Sequence, residues 1–150
     1  MIITFCGHSQ ILGHPELEDE IIRIIEEKAN DGPVTFYLGM YGTFDSIAES
    51  ACLRYKKQNA QAELVFVSPY YNETYIKKLD WLLADFDDTL YPLKHPRYTK
   101  YEIIKRNEWM VKSSDLVIAY VKRGFGGAAK TLAYAIKHNI PYINLAKESF

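Results

Sequence analysis

Short apolar runs alternate with helical periodicity along the whole chain. "IITFCG" (2–7) is apolar, β-branched and ends in glycine, which reads as a buried strand. "ELEDEIIRIIEEKAN" follows, with Leu17, Ile21, Ile24, Ile25 and Lys28 at three- and four-residue spacing and acids at its start, an amphipathic helix. "GPVTFYLGMYG" (32–42) gives a break, a strand and a glycine turn, and Thr43 is placed to cap the next helix, "FDSIAESACLRYKKQ". "AELVFVSPYY" (62–71) is a third strand. A helix over 98–115 carries Ile103, Ile104, Trp109, Met110 and Val111, with Trp109 and Met110 read as core and Asp115 capping or orienting its end. "LVIAYV" (116–121), "GAAKTLAYAIKHN" and "PYINL" (141–145) complete the series as strand, helix and strand. Strands alternating with helices predict a single three-layer α/β/α domain of Rossmann-like type, with a mostly parallel sheet of about five strands. Continuous apolar strands agree, because both faces of such a sheet are covered.

Residues 70–98 break the rhythm. They suggest a short helix over 73–84, an acidic turn and proline breaks at Pro92 and Pro96. Twelve tyrosines lift aromatic content to 14%, and five of them (Tyr70, Tyr71, Tyr75, Tyr91, Tyr98) lie in this middle third. They suit partly buried packing with wet hydroxyls, or a stacking wall for a flat ligand.

With 150 residues the chain is long enough for one core. Cys6 and Cys52 form no CxxC pair, so no cysteine-based metal site is expected, and reduced thiols fit a cytoplasmic location. "MIITFCG" lacks the basic start of an export signal, and no stretch nears the roughly 20 apolar residues of a membrane helix. A net charge of -1 argues against a nucleic-acid partner, which a basic excess would favour.

In a parallel sheet, ligands gather at the carboxyl ends of the strands. Three such ends carry unusual residues: "FCGHSQ" (5–10), "LGMYGTFD" (38–45) and "RGFGGAAKT" (123–131). Two of them place spaced glycines just before a helix, where free N–H groups and the helix dipole attract phosphate. Neither is a GxGxxG or a Walker A string.

"FCGH", "YLGMYGTFD" and "RNEWMVKSSDLVIAYV…GGAAKTLAYA" together resemble the YpsA-like family of the SLOG superfamily, Rossmann-like domains related to the LOG phosphoribohydrolases and to the DprA core. The resemblance implies a pocket for a nucleotide or nucleotide-derived ligand. LOG-type enzymes place an arginine on the helix before the fourth strand and Pro-Gly-Gly-x-Gly-Thr-x-x-Glu after it. Arg106 matches the arginine, and Gly126 and Gly127 match the glycines. The proline and the glutamate are absent: the turn continues "AAKTLAYA", with no acid before Glu148.

That departure predicts binding without catalysis. The expected contacts are Gly7, His8 and Ser9; Gly39, Tyr41, Gly42 and Thr43; Arg106, as a bidentate phosphate clamp; and Gly126, Gly127 and Thr131, with Tyr41 or Tyr70 against the base. An N-glycoside hydrolase is the alternative, with Asp45 or His8 as the acid–base group. A nucleic-acid-associated module like the DprA core is a second alternative. No cofactor beyond the nucleotide is expected, and pairing into a homodimer is.

Overall fold

A computed structural model describes residues 1–12, 14–93 and 99–146. Tyr98, Pro96 and Glu148 of the sequence reading lie outside the described residues. The elements run β1 (Ile2–Gly7), α1 (Leu17–Ala29), β2 (Val34–Leu38), α2 (Thr43–Gln58), β3 (Ala62–Val67), α3 (Glu73–Lys78), β4 (Asp88–Leu90), α4 (Lys100–Lys112), β5 (Leu116–Tyr120), α5 (Gly127–Lys137) and β6 (Tyr142–Asn144). A 3-10 turn over Leu82–Asp85 precedes β4.

The six strands form one parallel sheet in the order β4-β3-β2-β1-β5-β6. The sheet thus has one strand more than expected. The extra one, β4, lies in the irregular middle third; it is three residues long and, among the described residues, pairs only with β3, Val65 opposite Asp88. Asp87 anchors its start: its carboxylate accepts the Leu64 N–H at 2.8 Å and the Lys56 ammonium at 2.6 Å.

Each face of the sheet has its own apolar layer. Ile21 and Ile25 of α1 and Ala48, Ala51 and Cys52 of α2 pack on Ile3, Phe36 and Leu64. Leu132 and Ala135 of α5, with Val111 of α4, pack on Cys6, Val117 and Ala119. Met110 is buried as read, whereas Trp109 is half-buried and stacks on Tyr37, with ring centroids 5.5 Å apart. Asp115 locks the β1–β5 pair at its base, accepting the Ile2 N–H at 2.7 Å and returning its own N–H to the Ile2 carbonyl at 2.8 Å. Strand order reverses between β1 and β5, so the helices after β1 and β5 diverge to opposite faces and leave a crevice above that pair.

Candidate functional site

A cavity of about 540 Å³ opens in that crevice. The end of β1 (Gly7, His8, Ser9), the α2 corner (Tyr41, Asp45), α4 (Arg106) and the start of α5 (Gly126, Gly127, Thr131) all line it. Gly39, Gly42 and Thr43 do not, for reasons visible in the packing.

The α2 corner is closed by the protein itself. Gly42 has φ 100° and ψ −176°, and a Cβ there would lie 2.6 Å from the Ser9 Cα. The first two helix amides are taken: Thr43 N–H donates to the Ser9 carbonyl at 2.9 Å and Phe44 N–H to the His8 carbonyl at 3.4 Å. The Asp45 carboxylate accepts the Tyr41 N–H at 2.7 Å, so this helix start carries an anion of its own. Gly7 likewise serves packing, since a Cβ would meet the Phe44 ring at 2.3 Å.

The α5 corner has the same backbone, Gly126 at φ 95° and ψ 176°, and nothing on it. Cβ atoms at Gly124, Gly126 or Gly127 would meet nothing within 4 Å. The N–H groups of Gly127, Ala128 and Ala129 find no acceptor among the described residues; Lys130 N–H closes the first turn on the Gly126 carbonyl. No acid stands in that first turn. The Thr131 hydroxyl is spent on the Gly127 carbonyl at 2.9 Å.

Arg106 is 2% exposed and lies across Gly39, where a Cβ would come within 2.8 Å of its guanidinium carbon. Nη1 donates to the carbonyls of Val67 (2.8 Å) and Gly39 (3.1 Å), and Nε donates to the Asn107 amide oxygen (2.8 Å). Three of the five guanidinium N–H groups are therefore committed, and only Nη2 remains for a ligand. The side chain ties the ends of β2 and β3 together, which leaves Nη2 for the phosphate contact expected of Arg106. Burial lowers its pKa, and the nearby Asp45 charge opposes that.

Burial has the converse effect on Asp45, pushing its carboxyl up to about 6 against the Tyr41 hydrogen bond and the Arg106 charge. His8 accepts the Lys122 N–H through Nε2 at 2.8 Å, so in the neutral ring Nδ1 carries the hydrogen. Desolvation lowers its pKa, helped by Arg123 and Lys122, and this favours the neutral donor. The Cys6 thiol in the cavity wall is pushed up to about 12 by burial and by Asp45, which removes it as a nucleophile near neutral pH.

Lys100, Arg123, Lys130 and Glu108 also line the cavity and were missed in the sequence. Lys130 carried a readable signal, because a lysine with no acid beside it in the first turn of a helix opposes the dipole. Of the aromatic candidates, Tyr41 lines the cavity and is 63% exposed. Tyr70 packs edge-on against Tyr75 at 4.9 Å instead, and Tyr71 against Tyr91 at 5.2 Å.

DNA processing protein A from Helicobacter pylori, known for its single-stranded DNA binding mode, shares this architecture with a TM-score of 0.67, at 19% identity over 99% of this chain and 66% of its own. The chain has the fold of the aligned part of that protein. The Streptococcus pneumoniae protein of that name aligns at TM-score 0.61 and 16% identity over 93% of this chain and 48% of its own. The solved structure of TM1055 gives a TM-score of 0.55 at 14% identity, covering 94% of this chain and 71% of that one. This chain thus spans about two thirds and about half of the two DNA processing proteins. No protein-family model and no curated protein matches the sequence. Among the described residues, no helix is long and apolar enough to cross a membrane.

Proposed function

We propose that this is a YpsA-like domain of the SLOG superfamily that holds a nucleotide or nucleotide-derived ligand at the carboxyl ends of its strands, without breaking a bond in it. The supporting observation is the α5 corner: three N–H groups without acceptors and no acid in the first turn, with Lys130 and Arg123 lining the same cavity. Such a set of donors and cations is unfavourable alone and favourable around a phosphate. His8 Nδ1–H and Arg106 Nη2 add donors from two other walls, and Tyr41 offers a ring for the base.

The test is a thermal melt of the purified chain with adenine nucleotides and ADP-ribose. A ligand at a hundred times its Kd adds about 2.7 kcal/mol, a rise of roughly 5–10 °C in Tm for a chain this size. No shift across the panel, together with no small molecule released on denaturation, would refute the reading.

Two other readings each have an observation in their favour. Asp45, half protonated near pH 6 in the cavity wall, suits an acid–base role in N-glycoside hydrolysis. That reading requires free base to appear from the nucleotide, and turnover to vanish in Asp45→Asn. Single-stranded nucleic acid is favoured by the Helicobacter pylori protein of the same fold, and by four cavity cations (Lys100, Arg106, Arg123, Lys130) against two acids (Asp45, Glu108). Whole-chain charge is thus a poor guide to this one surface. Salt-dependent retention of a labelled oligonucleotide tests it.

A further inference from the structure

The loop after β1 returns to the sheet at His14, just ahead of α1. The His14 ring stands edge-on to Tyr120, with centroids 5.3 Å apart, and its Nδ1 lies 3.4 Å from the Tyr120 hydroxyl. The other ring nitrogen, Nε2, is buried and has no hydrogen-bond partner among the described residues. Beside it stand two carboxylate oxygens, Glu16 Oε1 at 3.7 Å and Glu20 Oε2 at 3.9 Å. Both are too far for a hydrogen bond.

The helix dipole accounts for acids at the start of α1 in general. Glu18 and Asp19 are, in addition, paired with Arg54 at 3.2 and 2.9 Å. The dipole does not account for a buried imidazole nitrogen left without a hydrogen-bond partner between the other two glutamates. The three donor atoms lie within 4.8 Å of one another. Bonds of about 2.0–2.2 Å to a shared cation hold tetrahedral donors about 3.4 Å apart, so the two glutamate side chains draw in toward the imidazole when the ion binds.

We propose that His14 Nε2, Glu16 and Glu20 bind a divalent transition-metal ion of the zinc or manganese class, with water in the remaining positions. One imidazole and two carboxylates suit these ions, and the absence of thiolate disfavours softer ones. The expectation of no metal rested on the cysteines, and this donor set contains none. With Nε2 on the metal, Nδ1–H donates to the Tyr120 hydroxyl and holds the ring in place. Tyr120 ends β5 and also meets the His8 ring edge-on, at 6.3 Å. The ion therefore fixes the β1–α1 loop next to the cavity, and its binding does not depend on the nucleotide reading.

The full chain, stripped with chelator, is titrated calorimetrically with zinc chloride and separately with manganese chloride. The expected result is saturable binding of one ion per chain. It should be lost in His14→Ala, weakened at least about tenfold in Glu20→Gln and unchanged in His138→Ala. If His14→Ala does not fold, Glu20→Gln, which keeps the shape of the side chain, carries the test. No saturable binding by the wild type, or binding that survives unweakened in Glu20→Gln, overturns the proposal.

Discussion

The corners that start α2 and α5 have the same glycine geometry and opposite contents. Gly42 and Gly126 differ by only 5° in φ, 100° against 95°. At α2 the loop after β1 lies on the glycine, its carbonyls take the first amides, and Asp45 brings a negative charge. At α5 the glycines face open space, the amides have no acceptor among the described residues, and Lys130 and Arg123 line the same cavity. One corner has been satisfied from within and holds the fold together. The other has the same capacity for an anion and no internal anion to meet it. A glycine turn before a helix therefore does not identify a binding site; what stands against it does.

Glycine replacement should separate the corners most widely. Gly42→Ala combines a backbone conformation essentially reserved for glycine with a clash against the Ser9 backbone, and should cost about 4 kcal/mol. Gly126→Ala has the conformational penalty alone, about 2 kcal/mol. Gly127→Ala has neither, so its stability in urea should stay within about 0.5 kcal/mol of wild type while nucleotide binding weakens. Equal costs at Gly42 and Gly127 would erase the distinction.

The arginines give the next contrast. Arg106→Leu leaves the Val67 and Gly39 carbonyls without their donor beneath the α2 corner, and should destabilise by about 3 kcal/mol. Arg123→Leu, at an exposed position beside the α5 corner, should change stability by less than about 0.5 kcal/mol and lower nucleotide affinity.

Asp45 gives a pH signature. Its folded pKa, about 6, lies above the ordinary 3.8, so the folded state prefers the neutral acid. The destabilisation this brings is absent below pH 4, grows as pH rises, and is complete above pH 6. Asp45→Asn should therefore be more stable than wild type at pH 7.5 by on the order of 2 kcal/mol, with the gap closing by pH 4. A gap that does not change with pH would mean that the α2 corner does not hold an ionised carboxylate against its burial.

The strands and helices that alternate regularly were legible because each buries an apolar face, and burial writes its period into the sequence. β4 was not, because Asp88-Thr89-Leu90 is a three-residue edge strand that borrows its order from β3 and from Asp87. The third strand was read as stopped by Pro69, and it ends at Val67, two residues before that proline. At the site, the sequence singled out both glycine corners and Arg106. It could not say which corner the loop after β1 would fill, since Ser9 and Gly42 meet only in the folded chain. Nor could it show Arg106 turning its donors to two strand-end carbonyls. Those outcomes depend on distances between segments, and no local pattern encodes them.

The most direct test is to give the α5 corner what the α2 corner already has. Lys130→Glu places an acid in the first turn of α5, opposite the free amides. The ligand-free protein should become more stable, by about 0.5 kcal/mol, as the dipole gains its counter-charge, and the thermal shift with nucleotide should disappear. If Lys130→Glu destabilises the ligand-free chain, or keeps the full nucleotide shift, the α5 corner is not the anion site.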